Sequence, residues 1–231
     1  MVSRGVRQLV VAIDGPAGAG KSTVTKELAL ELDYQVLDTG ALYRLVALLG
    51  REQNVSWDSE DALAEIALGI ADGVRFSLDN KQNRVFWQGR DVSKDIRTPE
   101  VSSGASQVSA LPKVRTALLE LQQAIGRNGG IVAEGRDIGT VVFPSADVKF
   151  FLTASTEKRA ERRVLELRSA GQEVTLAETI VQIQARDDRD SSREVAPLKA
   201  ADDAIVVDCS ELSIREVVDQ MLSVVREREQ T

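Results

Sequence analysis

The sequence has no histidine and a single cysteine among its 231 residues. The lack of imidazole excludes serine–histidine and cysteine–histidine nucleophile pairs, histidine-ligated metal centres and imidazole acids or bases. Because Cys209 has no second cysteine to pair with, no intrachain disulfide forms, and we expect a reducing compartment, the cytoplasm. Any chemistry of this chain must therefore proceed without imidazole.

Long apolar runs are also missing, and aromatic residues make up only 4% of the chain. No run approaches the roughly 18 residues of a membrane helix, and residues 1–10 are too short and too polar for a signal peptide. The net charge of −7 argues against a general nucleic-acid binder. A hydrophobic share of 43% is enough to bury a core, so we expect one domain over residues 1–231. With no extended apolar helix face left over for a second copy, we expect a monomer.

Short β-branched apolar runs alternate with stretches of helical periodicity along most of the chain. We predict strands at 9–13, 35–37, 130–134, 148–152 and 204–208. We predict helices at 21–32, 41–52, 59–70, after Pro99, at 112–125, 156–169, 174–191 and at the C-terminal end. This alternation predicts an α/β fold of three layers, with a central, mostly parallel sheet.

The stretch 72–97 departs from that alternation. Residues 74–78 and 84–88 alternate apolar and polar side chains, and the turn-rich segment 79–83 separates them. This pattern predicts a β-hairpin, and therefore a small antiparallel unit inserted into the parallel fold.

The segment that follows the first predicted strand reads Gly-Pro-Ala-Gly-Ala-Gly-Lys-Ser and matches the G-x-x-x-x-G-K-[ST] phosphate loop at every fixed position. Its residues are Gly15, Pro16, Ala17, Gly18, Ala19, Gly20, Lys21 and Ser22. Glycines let successive backbone N–H groups point at one phosphate group, and the predicted helix 21–32 directs its positive end at the same anion. We expect Lys21 to reach the β- and γ-phosphates and Ser22 to ligate Mg²⁺.

Three classes of nucleotide-binding protein share this loop. A GTP-dependent switch requires an Asn-Lys-x-Asp clamp, and the nearest string, residues 80–83, lacks the Asp and falls in the predicted hairpin. A motor ATPase usually has an apolar strand ending in Asp for magnesium, and the candidate at 205–208 comes very late in the chain. A small-molecule kinase instead needs guanidinium groups around two phosphates.

The arginines favour the kinase. Of the 29 basic residues 21 are arginine, and many fall in groups: Arg186, Arg189 and Arg193 on one helical face with Asp190; Arg159, Arg162 and Arg163 one helix earlier; and Arg136 beside Asp137 after a buried strand. A single group is typical of a solvated face with ion pairs. Three groups beside a phosphate loop favour phosphate binding, since guanidinium forks match phosphate oxygens and phosphoryl transfer needs no imidazole.

From about Leu9 to Val225 the chain resembles the bacterial cytidylate kinases, which phosphorylate CMP and dCMP. Four blocks carry the resemblance: residues 13–23, from Ile13 to Thr23; residues 37–44, Leu-Asp-Thr-Gly-Ala-Leu-Tyr-Arg; residues 134–144, beginning Glu-Gly-Arg-Asp; and residues 186–193 with Ala-Pro-Leu at 196–198. The first block is shared by many kinases, whereas the other three in this order are specific to the family.

The resemblance implies a P-loop kinase core, an inserted monophosphate-binding subdomain over 72–110 and a mobile helical lid over 155–170. It implies the reaction ATP + CMP or dCMP ⇌ ADP + CDP or dCDP with Mg²⁺, and no nucleic-acid or membrane partner. The acceptor is a phosphate already ionised at neutral pH, so no strong general base is required.

Residue roles follow from the resemblance position by position. Thr23, Arg159 and Arg163 join the phosphate loop as ATP-binding residues, and Lys21, Arg136, Arg186 and Arg193 are implied to be catalytic. The resemblance assigns the acceptor's phosphate to Arg44, Arg136 and Arg193, beside Thr39 and Tyr43. It assigns the cytosine edge to Ser106, Arg115 and Asp137. It assigns the sugar to Arg186 and Asp190.

Some positions keep a second interpretation. Tyr43 is also compatible with simple core packing, Ser106 with close helix packing, and Asp137 with an ion pair to Arg136. Asp38 is a candidate for holding a magnesium-bound water, and Cys209 is expected to be a buried or strand-end bystander. Two rival functions also stay open: a kinase for UMP, AMP or a non-nucleotide alcohol, and a slow or non-catalytic NTP-binding switch.

Overall fold

The computed structural model describes residues 8–79, 82–169 and 171–230. Residues 1–7 and 231 of the predicted single domain, the first two residues of the Asn-Lys string at 80–83, and the last residue of the predicted lid segment lie outside the described residues.

The described residues form eight strands and eight α-helices. The strands are β1 (Val10–Asp14), β2 (Gln35–Asp38), β3 (Val74–Asp79), β4 (Gln82–Trp87), β5 (Arg90–Asp91), β6 (Ile131–Glu134), β7 (Val148–Thr153) and β8 (Ile205–Asp208) within the described residues. The helices described are α1 (Lys21–Leu32), α2 (Thr39–Glu52), α3 (Glu60–Gly69), α4 (Pro99–Val108), α5 (Pro112–Gly126), α6 (Thr156–Ser169), α7 (Leu176–Ser191) and α8 (Ile214–Glu229). A 3₁₀ turn, Asp95–Arg97, and a π-helical turn, Ile138–Val142, complete the set.

Five strands form a parallel sheet in the order β2-β6-β1-β7-β8. The first strand of the chain lies at the centre, and Val11 pairs in register with both Val132 and Val148. The chain order therefore changes direction on either side of β1, and in open parallel sheets ligands bind beyond the carboxyl ends of the strands at such a switch point. The loops after β1, β2 and β6 meet at this edge.

Helices cover both faces of the parallel sheet. Because side chains alternate along a strand, Val11 and Ile13 pack with α1 and α8, whereas Ala12 packs on the opposite face with α2 to α5. On the first face α8 contributes the apolar stripe seen in the sequence, with Val217, Met221 and similar residues buried. The predicted three-layer α/β fold is confirmed.

The antiparallel insert is confirmed as well. Strands β3 and β4 pair with Val74 opposite Trp87 and Phe76 opposite Val85, and β5 adds a third, two-residue strand. Apolar side chains of this unit and of the segment after it, among them Val85, Val92 and Ile96, join the core that α2 to α5 build. The insert is thus fastened to the main domain through its apolar face.

Most element boundaries agree with the sequence patterns within two residues, and α1 and α6 agree at both ends. Sequence periodicity did not indicate β5 or the π-helical turn, because each is too short to establish a period. Within the described part of the chain, no helix has the length and apolar character needed to cross a membrane.

Candidate active site

The phosphate loop runs from the end of β1 to the start of α1. Gly15, Gly18 and Gly20 have φ values of 146°, 76° and 95°, a region that favours glycine. A β-carbon at Gly15 would overlap the carbonyl oxygen of Leu152, so the loop also lies directly against β7. Gly20 caps α1 without a side-chain hydrogen bond, which leaves the first N–H groups of the helix directed at the loop's interior.

Lys21 is buried within this loop. Its Nζ atom donates to the carbonyl oxygens of Gly15 at 2.7 Å and Pro16 at 2.8 Å. Burial and the nearby Arg136 lower the pKa of Lys21 well below its usual value, while Glu134 opposes that shift. The ammonium group is thus held in the concave side of the loop with its positive charge poorly solvated, a setting that favours an anion.

Oxygen atoms from three elements surround the start of α1. The Ser22 hydroxyl donates to Glu134 Oε2 at 2.9 Å, and the Thr39 hydroxyl donates to the Glu134 carbonyl at 2.7 Å. Burial, with the neighbouring Asp38, raises the pKa of Glu134 to about 7. Hydroxyl and carboxylate oxygens are ligands that Mg²⁺ accepts. The described residues contain no group of three or more acidic, histidine or cysteine side chains that could hold a metal ion.

Asp38 ends β2 and begins α2. Its Oδ1 atom accepts from the Ala41 N–H at 3.0 Å, which caps the helix, and its Oδ2 atom accepts from Arg44 at 2.7 Å. Arg44 is thereby turned toward the sheet edge, and its buried Nε atom has no hydrogen-bond partner among the described residues.

A second cluster of charge is centred on Asp190, near the end of α7. Arg136 Nε donates to it at 2.9 Å, Arg193 forms a hydrogen-bonded ion pair with it, and Arg186 Nε lies 3.9 Å away. The Asp190 carboxylate is 2% exposed. Burial alone would raise the pKa of Asp190, but the three guanidinium groups outweigh it and lower the pKa. The Leu198 N–H donates to the Asp190 carbonyl at 2.8 Å, which folds the segment after α7 back onto the cluster.

The predicted helical face is assembled only in part, because α7 ends at Ser191 and Arg193 lies in the segment after it. Arg186, Asp190 and Arg193 converge, whereas Arg189 is exposed and donates to the Ala185 carbonyl of its own helix. Burial and the repulsion from Arg136 lower the pKa of Arg186. One carboxylate thus balances three cations, and the cluster keeps a local excess of positive charge.

Arg115 forms a third group with residues of α2, α4 and the loop after β6. It makes a hydrogen-bonded ion pair with Asp137, donates to the Ser109 carbonyl at 3.0 Å, and lies 5.5 Å above the Tyr43 ring. Burial raises the pKa of Tyr43 to about 12, although Arg115 opposes this. Asp137 pairs with Arg115, and Arg136 pairs with Asp190, so the two neighbours in sequence serve different clusters.

Ser109, which the sequence patterns did not single out, joins these two clusters. Its hydroxyl accepts from Arg193 at 3.0 Å and donates to the Ser106 carbonyl at 3.1 Å. The Ser106 hydroxyl is buried and has no partner among the described residues. The one signal that points to Ser109 is its position three residues after Ser106, one helical turn away.

The lid arginines differ in their surroundings. Arg159 donates to the carbonyl of Ala17 in the phosphate loop at 3.1 Å and to Asp187 of α7 at 2.6 Å. Arg162, not among the implied ligands, contacts the loop too, through the Ala19 carbonyl at 3.4 Å. Arg163 forms an ion pair with Glu166 of its own helix at 2.7 Å. Two of the three arginines therefore brace the phosphate loop.

Two remaining predictions concern β8. Asp208, the candidate magnesium ligand of a motor ATPase, is exposed and accepts from Ser210. Cys209 is buried as a free thiol, as expected of a bystander. Neither side chain contributes to the carboxyl-edge clusters described above, although the Cys209 carbonyl accepts from Arg162.

A phosphate loop at the switch point of a parallel sheet, facing a second cluster of arginines, defines a P-loop phosphotransferase. The comparison with known families is more specific, because the family described as "Cytidylate kinase" matches residues 11–227. The chain belongs to the cytidylate kinase family.

Individual relatives agree with this. The chain is 52% identical over 229 residues to the cytidylate kinase of Geobacter sulfurreducens, a match that covers 99% of this chain and 97% of the relative. It is 48% identical over 224 residues to that of Syntrophotalea carbinolica, covering 97% and 94%. A crystal structure of an uncharacterized protein from Eubacterium ventriosum has the same fold, with a TM-score of 0.53 at 10% identity, covering 95% of this chain and 99% of that one.

Proposed function

We propose that this protein transfers the γ-phosphoryl group of ATP to CMP or dCMP. The observation that carries the proposal is the placement of two cation sets at one sheet edge: Lys21 in its loop, and the arginines around Asp190. An acceptor phosphate oxygen attacks the γ-phosphorus, the bond to the bridging oxygen breaks, and ADP leaves. Charge on the transferring group is spread over oxygens, so fixed cations lower the barrier.

On the donor side, residues 15–23 hold the triphosphate. Lys21 exchanges the carbonyls of Gly15 and Pro16 for phosphate oxygens, and Arg159 and Arg163 approach from the lid. We propose Mg²⁺ as the cofactor, held by the Ser22 hydroxyl with Glu134 beside it; when bound, it neutralises phosphate charge. The Ser22–Glu134 hydrogen bond supports this assignment.

On the acceptor side, Arg44, Arg136 and Arg193 hold the monophosphate, and Thr39 and Tyr43 line the segment that carries Arg44. Ser106, Arg115 and Asp137 read the cytosine edge, and Arg186 and Asp190 contact the sugar. Partner-free buried polar atoms support this assignment, because Ser106 Oγ, Arg44 Nε and Arg186 Nε have no hydrogen-bond partner among the described residues. Of the residues named, Lys21, Arg136, Arg186 and Arg193 neutralise the charge that moves during transfer.

We also propose that the insert, 72–110, and the lid, 155–170, close over the substrates. Closure excludes water, which would otherwise accept the phosphoryl group. The contact of Arg159 with both the phosphate loop and α7 supports a lid that senses the donor site. The active species is proposed to be a cytoplasmic monomer that binds neither nucleic acid nor membranes, and size-exclusion chromatography with light scattering tests the monomer.

The test is an ADP-release assay with the purified protein, ATP and Mg²⁺, and CMP, dCMP, UMP, AMP or GMP as acceptor. We expect CMP and dCMP to give turnover well above the rate without acceptor. Faster turnover with UMP or AMP would reassign the acceptor pocket. No stimulation by any acceptor, with ATP binding intact by calorimetry, would contradict the kinase and favour an NTP-binding switch.

A further inference from the structure

Asp14, the last residue of β1, makes a contact that the proposed chemistry does not use. Its Oδ1 atom accepts from the Ile138 N–H and its Oδ2 atom from the Gly139 N–H, both at 2.7 Å. Asp14 is only 3% exposed. One carboxylate thus binds two successive backbone amides across the sheet edge.

Such a buried carboxylate is costly to the fold. Burial raises the pKa of Asp14 to about 6, while the two backbone hydrogen bonds and Lys21 act against the shift. An apolar residue would leave both amides without partners, and asparagine has one oxygen where two are needed. Neither an apolar residue nor asparagine can therefore accept both hydrogen bonds in the way that the Asp14 carboxylate does.

The two chain segments that Asp14 joins belong to the two halves of the site. Asp14 directly precedes Gly15, whose carbonyl accepts from Lys21. Ile138 and Gly139 begin the π-helical turn that directly follows Arg136 and Asp137. The turn is closed on its other side, where the Asp137 carbonyl accepts from the N–H groups of Val141 and Val142.

We propose that Asp14 is a positioning residue that fixes the acceptor arginine loop relative to the phosphate loop. A second contact supports this, since the Gly135 N–H donates to the Ile13 carbonyl at 3.0 Å and holds the same loop by its other end. Arg136 and Asp137 lie between these two attachments. Loss of the Asp14 contact frees the end that sets where Arg136 and Asp137 point.

The test compares Asp14→Asn with the wild-type enzyme by steady-state kinetics, and the inference rests on the proposed function. Asparagine leaves one of the two amides facing an NH₂ group, so the acceptor loop shifts. A misplacement of about 1 Å costs roughly a hundredfold in rate, so we expect kcat to fall about 10- to 100-fold and KM for CMP to rise about tenfold. The KM for ATP should stay within about twofold of wild type, since the phosphate-loop bonds remain.

Asp147→Asn is the matched control. Asp147 Oδ2 accepts from the N–H of Val10, on the same strand but at its amino end, at 2.9 Å. This variant should lose stability without a change in either KM. Equal changes of both KM values in Asp14→Asn, or no change in either, would overturn the positioning role.

Two further measurements keep the inference separate from folding and from the proposed function. Hydrogen exchange followed by mass spectrometry should show faster exchange over 135–142 in Asp14→Asn without nucleotide; unchanged exchange there would contradict the proposal. If Asp14→Asn does not fold, Asp14→Glu, which keeps both oxygens on a longer arm, takes its place with the same expected kinetics. Wild-type enzyme without CMP-dependent turnover contradicts the proposed function, whereas the exchange result still decides whether Asp14 holds the loop.

Discussion

The two halves of the candidate site differ in where their binding groups come from in the chain. The donor half is centred on eight consecutive residues, among which Lys21 is bonded to carbonyls of its own loop. Arg159 and Arg162 contact the same loop from α6. The acceptor half consists of side chains from α2, α4, α5, α7, the segment after α7 and the loop after β6, and its arginines are paired with carboxylates. Donor geometry is therefore largely local, and acceptor geometry depends on tertiary structure.

The buried carboxylates of the two halves also differ in the charges around them. Burial raises the pKa of Asp14, beside the phosphate loop, to about 6, whereas three guanidinium groups lower the pKa of Asp190. Few cations surround Asp14 in the donor half, whereas three surround Asp190 in the acceptor half. Because three guanidinium groups surround the single Asp190 carboxylate, the cluster can bind the anionic monophosphate as well.

Removal of the lysine should have the largest effect. Lys21→Met removes the one basic side chain of residues 15–22. We expect kcat to fall about 10³-fold, the size of effect found when a cation that contacts the transferring phosphate is lost. ADP release at saturating ATP and CMP measures this. Lys26→Met, on the same helix and paired with Glu27, is the control and should retain most activity. Retention of a tenth or more of wild-type kcat by Lys21→Met would contradict a charge-neutralising role.

Loss of one acceptor arginine should cost somewhat less, because neighbouring arginines remain. We expect Arg193→Ala to lower kcat/KM for CMP about 10²-fold, with a smaller change in KM for ATP. The exposed Arg189, one turn earlier, provides the control Arg189→Ala, which should behave like wild type. Should both variants lose activity alike, the helix rather than the cluster would be responsible.

The central carboxylate of the acceptor cluster should show its effect in stability. Asp190→Asn leaves Arg136 and Arg193 without their counter-ion, and we expect the free energy of unfolding to fall by about 3 kcal/mol near pH 7. The lowered pKa of Asp190 means that its contribution is present above the unfolded value, about 3.9, and is lost as the pH falls through the folded value.

The difference between Asp190→Asn and wild type should therefore shrink below about pH 4. Urea unfolding at pH 7, 4 and 3 measures it, with the exposed Asp188→Asn as the control. A difference that is the same at all three pH values would show that the ion pairs do not stabilise the fold.

The smallest effect is expected at the base-recognition end. The Ser106 hydroxyl is buried and has no hydrogen-bond partner among the residues described, so Ser106→Ala should leave thermal stability unchanged or slightly raised. Loss of one hydrogen bond to CMP should raise KM for CMP about fivefold. Ser103→Ala, on the exposed face of α4, is the matched control. A clear loss of stability without a change in KM would indicate packing instead of recognition.

The phosphate loop could be predicted from sequence because its residues are consecutive, whereas the contacts that Arg159 and Arg162 make with its carbonyls depend on tertiary structure. Gly15, Gly20 and Lys21 are recognisable from spacing alone, and α1 begins and ends where its pattern indicates. The central, parallel arrangement of the sheet followed from strand and helix alternation. Its strand order did not, since pairing depends on contacts between distant segments.

The acceptor half could be predicted only in part. The spacing of Arg186, Asp190 and Arg193 indicated that they converge, although Arg193 follows the end of α7 and is not on the helix. Nothing in the sequence says that Arg136 bonds to Asp190 or that Asp137 pairs with Arg115. Those pairings require the loop after β6 to leave the sheet through a π-helical turn, a rare conformation without a period of its own. The roles of Asp14 and Ser109 could not be predicted, because their partners are backbone N–H groups or residues far away in sequence.

The single cysteine can serve as a probe of local opening beside α6. Cys209 is buried, its pKa is raised by burial, and its carbonyl accepts from Arg162 of α6 at 2.5 Å. Because alkylating reagents attack an accessible thiolate, the labelling rate of the native protein measures how often this corner beside α6 opens. No cysteine has to be engineered or removed first. If nucleotide binding draws α6 down, ATP should slow the labelling, and mass spectrometry of the intact chain can count the single adduct as it forms.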